Sequence, residues 1–161
     1  MFEKTNGHYV SPESDVYIGE LIRGKPNGQG VLTSKDQNKV VEGTFIAGKP
    51  FGEMKITTRN PQQVMSSYYI RDQTHGIISR VGADKGAYKG CSRNGQNQGV
   101  WKFVYPDGHM DYRNYVDGVS SGQAIRISGD KLQVQVWDVE NGVVKSDSMV
   151  YKFAHLAKVN A

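Results

Sequence analysis

One cysteine, Cys91, stands alone in a chain of 161 residues. An internal disulfide and a metal cage of several thiolates are therefore both excluded. No stretch approaches the roughly 18 consecutive apolar residues of a membrane-crossing helix. Met1 to Ser14 contains no apolar core of a secretory leader. A soluble cytoplasmic protein is the expectation, with leaderless secretion open as a second route. Two Lys/Arg residues never stand side by side, which argues against a basic nucleic-acid-binding tail. Hydrophobic content is 37%, under the roughly 45–50% of globular chains, a reference that includes glycine. What the chain has in excess is glycine, 19 residues, beside nine tyrosines. That mixture points to short strands joined by many tight turns.

The glycines are periodic. Gly24, Gly48, Asp72, Gly95, Gly118 and Gly142 are spaced 24, 24, 23, 23 and 24 residues apart. Gly28, Gly52, Gly76, Gly99, Gly122 and Ser146 follow them at a constant offset of 4. Tyr17-Ile18-Gly19-Glu20-Leu21 aligns in the same phase with Val41-Glu42-Gly43-Thr44-Phe45 and with Tyr88-Lys89-Gly90-Cys91-Ser92. A second set of turn signals lies between units, at Ser34 to Asn38, Arg59-Asn60-Pro61, Gly82-Ala83-Asp84, Pro106-Asp107-Gly108 and Ser128-Gly129-Asp130. A fixed internal period of this length marks a repeat architecture. Strand, tight turn, strand and second turn together fill such a unit, so each unit reads as one β-hairpin. Gly19 and Gly43, inside strands, predict places where a ring or a backbone comes close.

The run Tyr-x-Gly-x-x-x-x-Gly-x-x-x-Gly-x-Gly over residues 17–30, with Thr74-His75-Gly76 in a later unit, resembles the MORN repeat. The resemblance covers about six units across residues 15–150. It implies an all-β fold: an elongated single-sheet antiparallel meander of MORN-type β-hairpins. Residues 1–14 read as a lead-in, 15–147 as repeats and 148–161 as a short C-terminal capping helix. Val150, Phe153, Ala154 and Ala157 carry the helical spacing, and the open edge of the stack gives such a cap a purpose. Asp72 and Ser67, where the pattern wants glycine, predict altered turns or local bulges.

Gly19 to Pro26 and Gly43 to Pro50 both read Gly-x-x-x-x-Gly-Lys-Pro. This is close to a phosphate-binding loop, but Pro26 and Pro50 replace the hydroxyl that would meet magnesium, and no helix follows. Cys91, His75 and His109 lack a third group to orient them, and His8, His75, His109 and His155 lack ligand spacing. No catalytic residue, metal or cofactor is expected. Two binding surfaces remain. One is an aromatic face carrying Tyr69, Tyr88, Trp101, Tyr112, Tyr115 and Trp137, residue types enriched at interfaces. The other is a basic band, Arg71, Arg80, Lys85, Lys89 and Arg93, where the net charge of +4 is concentrated. The resemblance implies a non-catalytic protein-binding or scaffolding module, with another protein as partner, either a second copy or a heterologous one that it neutralises. The alternatives are an anionic phospholipid surface or nucleic acid held by the basic band, and, third, a glycan-binding or enzymatic role.

Overall fold

The computed structural model describes residues 3–145 and 149–152. Every regular element in them is a β-strand: β1 Lys4–Val10, β2 Val16–Ile22, β3 Lys25–Thr33, β4 Lys39–Ile46, β5 Lys49–Arg59, β6 Gln62–Ile70, β7 Gln73–Thr74, β8 Gly76–Gly82, β9 Ala87–Arg93, β10 Gln96–Val104, β11 Met110–Val116, β12 Val119–Ser120, β13 Gly122–Ile127, β14 Gln133–Glu140, β15 Val143–Val144 and β16 Met149–Lys152. They form one open sheet in which strands pair in sequence order, except that β6 carries both β7 and β8, β11 both β12 and β13, and β14 both β15 and β16. The pairs β7/β8 and β12/β13 are pieces of single return strands, broken at His75 and Ser121.

The glycine period sets the turns at one end of the sheet. Each hairpin closes with two residues at positive φ, as in Arg23–Gly24 (51° and 72°), Ala47–Gly48 (50° and 85°) and Asp117–Gly118 (48° and 84°). This is the type I′ turn, whose twist matches that of the flanking strands. The turns also stack. The N–H of Gly48 donates to the Pro26 carbonyl at 2.8 Å, and Gly118 N–H to the Asn97 carbonyl at 2.9 Å. Replacing Gly24, Gly48 or Gly118 by Val is expected to cost at least about 1 kcal/mol each through backbone strain. Urea denaturation checks this; three unchanged midpoints would contradict it.

At the other end, Asp36, Asp84, Asp107 and Asp130 each accept the backbone N–H two residues ahead. Unit three instead turns through the cis peptide Asn60–Pro61. Return strands carry extra residues at the second glycine. Between Gly19↔Gly30 and Leu21↔Pro26, Glu20 alone faces the three residues Asn27, Gly28 and Gln29. Such a bulge bends the strand and increases its twist.

The side chains divide into two faces. One, the ring face, holds the core: Tyr17, Leu21, Val41, Phe45, Met54 and Ile56 are buried, with Tyr9, Leu32, Met65 and Tyr69 packed against them. Tyr17 and Phe45 meet edge to face at 5.0 Å. Strand glycines make this packing possible. A Cβ on Gly30 would sit 2.3 Å from Tyr17 Cζ, and a Cβ on Gly90 would sit 2.1 Å from Trp101 Cδ2. The opposite face carries a row of β-branched and other apolar residues, among them Val10, Val81 and Val104, one from each strand in register.

Two expectations need correction. Met149–Lys152 is not helical: it is a strand antiparallel to β14, with Gln135 opposite Val150. A helix would only cover the edge of β14, whereas a strand satisfies that edge's open backbone groups. The rest of the expected helix, 153–161, and residues 146–148 lie outside the described residues. Nor does Asp72 alter its turn. Asp72 takes φ 65° beside Arg71 at 50°, the same turn as its glycine counterparts, since aspartate tolerates this region better than most residues. Opposite Ser67, by contrast, a local irregularity is present: the β6–β8 ladder ends at Ser66↔Ser79 and the return strand breaks at His75, whereas β3, β5 and β10, facing Gly19, Gly43 and Gly90, run unbroken.

Candidate functional site

The meander brings the aromatic residues together on the ring face, with one exception. Tyr69, Tyr88, Trp101, Tyr115 and Trp137 share this face by strand alternation and register. Tyr112 lies on the other face, where the Lys102 ammonium sits 5.8 Å from its ring centre. Trp101 is the centre of the cluster. It packs on Tyr88 at 5.9 Å, Phe103 at 6.2 Å and Tyr115 at 6.3 Å. Its indole N–H donates to the Cys91 carbonyl at 3.0 Å. Only 4% of Trp101 is exposed, so it supports the surface and offers little of itself. Tyr69, Tyr88, Tyr115 and Trp137 are half-buried and present ring area to solvent. Burial, and secondarily Tyr88, push the Tyr69 phenol above its ordinary range.

Two grooves cut this face. One, of about 270 Å³, is lined by Met65, Ser67, Thr74, Ile78, Tyr88, Asn97, Trp101 and Phe103. The other, of about 300 Å³, is lined by Arg113, Ser120, Ala124, Trp137, Val139, Gly142 and Val144. Each contains a buried polar atom without a hydrogen-bond partner, Ser67 Oγ in the first and Arg113 Nε in the second. Both residues stand where units one, two and four place Gly19, Gly43 and Gly90.

Towards the C-terminal units the ring face turns ionic, a feature not anticipated from sequence. Asp111 is fully buried, in the position of Tyr17, Val41, Met65 and Tyr88 in earlier units. Arg126 holds it side-on, with Nε at 2.7 Å and Nη2 at 2.8 Å. Arg113 Nη2 reaches it at 2.7 Å, and the Tyr105 hydroxyl donates at 3.2 Å. Burial alone would raise the Asp111 carboxyl; the two guanidiniums outweigh that and bring it down to about 2. Two arginines on one aspartate leave one positive charge in surplus. The signal was available: an acid in a ring position and an arginine in a glycine position, both in phase.

The basic band disperses. Arg71 is in a type I′ turn, and Lys85 is in a turn at the far end of the strands. Arg80 lies on the ring face against Tyr88, with its Nε on Gln63, while Lys89 points to the opposite face. Arg93 pairs with Asp117 at 3.8 Å. The five do not converge on one patch.

On the opposite face a depression of about 430 Å³ is lined by Glu53, Ser66, Ser67, Tyr68, His75, Gly76 and Ile77. His75 sits at the break in the return strand, its backbone N–H on the Tyr68 carbonyl at 2.6 Å. Cys91 is exposed, and its thiol meets the Ser92 carbonyl at 3.8 Å. Among the described residues no cluster of three or more His, Cys, Asp or Glu could hold a metal ion. Among them, too, no helix is long and apolar enough to cross a membrane.

No curated protein matches the chain. The model of the MORN repeat family matches residues 17–39, the span from Tyr17 of β2 through the type I′ turn and the bulge at Gly28 to the start of β4. The family is generally non-catalytic, and its repeats are generally linked to protein or membrane-lipid binding. The chain carries a MORN repeat at residues 17–39, and its repeated β-hairpins fit a MORN-repeat protein.

Proposed function

We propose that this chain is a non-catalytic docking module that binds another protein across the ring face of its sheet. One observation carries the reading: the sheet is the only layer among the described residues, and half-exposed rings line the grooved side of it. Apolar concave surface with a few convergent polar groups is the usual form of a binding site, and exposed apolar area of this kind is commonly occupied by a partner. Tyr69 and Tyr115 occupy equivalent places in units three and five, each followed by a type I′ turn. They are the anchors, in the role that Trp101 is too buried to fill.

The double variant Tyr69→Ala/Tyr115→Ala is expected to weaken association with the native partner, or with a second copy, by more than tenfold, about 1.4 kcal/mol or more. The partner is identified by affinity capture and mass spectrometry, affinity by titration, self-association by sedimentation, and fold by circular dichroism. A folded double variant that binds as the wild type does would overturn the proposal. Binding of the wild type to acidic vesicles at low salt, lost when Arg71, Arg80, Lys85, Lys89 and Arg93 become Gln, would assign the protein to lipid instead.

A further inference from the structure

We propose that the groove beside Arg113 is a carboxylate subsite that takes the C-terminal residue of a partner protein, provided that residue has an apolar side chain. This deepens the docking role assigned to the ring face and rests on it.

Charge comes first. Asp111 is held side-on by Arg126, so it needs Arg113 only in part. Arg113 gives it one nitrogen, Nη2, which also donates to the Tyr105 hydroxyl at 3.1 Å. Its Nε has no partner, although the side chain as a whole is 34% exposed and lines the groove. A guanidinium with unused donors, in a surplus of one positive charge, is a receptor for a planar anion. The Nε is itself shielded from solvent, so the outer N–H groups are the point of entry.

Shape comes second. The groove wall beside the guanidinium is mainly apolar: Ala124, Trp137, Val139 and Val144, with Ser120 and Gly142 completing the lining. Its volume of about 300 Å³ sits at the bottom of the roughly 300–1,000 Å³ of sites that enclose whole ligands. It therefore admits a single residue. A chain-terminal carboxylate and its own side chain branch from one carbon, so charge and apolar group arrive side by side, as Arg113 and Trp137 require. The carboxylate of an internal Glu or Asp is at the tip of its side chain and brings no apolar companion.

The test is a titration of the ¹⁵N-labelled full chain, followed at the Arg113 Nε–H and Trp137 indole N–H signals. The probes are N-acetyl-leucine for the chain terminus, N-acetyl-glutamate α-amide for the acidic side chain and N-acetyl-leucine amide as the neutral control. Concentrations run to about 50 mM, beyond the roughly millimolar Kd of a single-residue contact. N-acetyl-leucine is expected to shift both signals saturably, with the other two probes at least tenfold weaker. Arg113→Gln, which leaves the Asp111–Arg126 pair in place, is expected to weaken N-acetyl-leucine at least tenfold. Absence of a saturable shift in the wild type would overturn the proposal, as would equal binding of either other probe; neither result needs a variant to fold. The docking role has its own readout in Tyr69 and Tyr115, outside this groove. Loss of the carboxylate site would leave it standing, and loss of docking would leave this titration unchanged.

Discussion

Gly90→Ala is expected to destabilise the protein by about 3 kcal/mol, the upper part of the range for overpacking a filled core. In a chain of this size that lowers Tm by roughly 6–12 °C. The cause is contact alone. Gly90 is not among the residues at positive φ, so alanine suits its backbone, but the new methyl would stand 2.1 Å from Trp101 Cδ2 and 2.4 Å from Cε2. The indole cannot withdraw easily, because it is wedged among Tyr88, Phe103 and Tyr115 and tied to the Cys91 carbonyl. Gly99→Ala is the control. Gly99 has φ 66°, and a methyl there would meet nothing within 4 Å, so it incurs only backbone strain, about 1 kcal/mol. A thermal melt in which the two variants are equally destabilised would refute the contact argument. A double-mutant cycle sharpens it: Gly90→Ala combined with Trp101→Ala should cost clearly less than the two single changes added together.

Asp111→Asn should be the second large loss, about 3 kcal/mol. Breaking a buried ion pair by removing one partner costs roughly 3–5 kcal/mol, and the low end applies because Arg113 and Arg126 reach solvent at 34% and 40% exposure. The same group makes stability depend on pH. The Asp111 carboxyl is depressed from its ordinary 3.8 to about 2 in the folded protein. A depressed acid contributes stability that is fully present above its unfolded pKa and is lost as pH falls through the folded one. The window is therefore about pH 4 down to about pH 2, and the amount is about 2 kcal/mol at ~1.36 kcal/mol per unit. Urea unfolding at pH 5 and pH 2 tests this. Wild type should lose about 2 kcal/mol more than Asp111→Asn over that interval. The difference removes the background of Asp36, Asp107 and Asp130, whose carboxyls are also held low by hydrogen-bond donors, a serine hydroxyl first for Asp36 and Asp130 and the His109 backbone N–H first for Asp107. Equal losses in the two proteins would mean that Asp111 carries no such linkage.

The hairpins were legible because a type I′ turn needs two residues at positive φ, and glycine is the residue that meets that need most readily. The steric demand wrote the same letter at Gly24, Gly48, Gly95, Gly118 and Gly142. Asp72 misled for a related reason. The geometry is set by the neighbouring hairpins on both sides, so one unit keeps its register when its own residues drift from the pattern. The family match at residues 17–39 falls on a unit that keeps the tyrosine and all four glycines of the pattern, with Asn27 in the histidine position. The C-terminal strand misled in another way. Val150, Phe153, Ala154 and Ala157 fit a helical period, but Met149–Lys152, lying against the open edge of β14, takes its conformation from that edge.

The candidate site divides along similar lines. Aromatic residues at fixed phase pointed to one face, and the sheet does gather Tyr69, Tyr88, Trp101, Tyr115 and Trp137 there. Which of them is surface and which is support depends on contacts between residues from different hairpins, and those contacts bury Trp101. The basic band looked continuous because Arg71 to Arg93 are neighbours along the chain, yet a hairpin sends near neighbours to opposite ends and faces of the sheet. Arg126 is the converse case, distant along the chain from Asp111 and Arg113 and joined to them only across β11 and β13. The sequence by itself determined the period, the turn chemistry and the all-β meander, since these depend on local φ preferences and side-chain spacing within a unit. Only the tertiary structure decided burial, charge pairing and the two unpartnered polar atoms, since these depend on what the adjacent strands place over each residue.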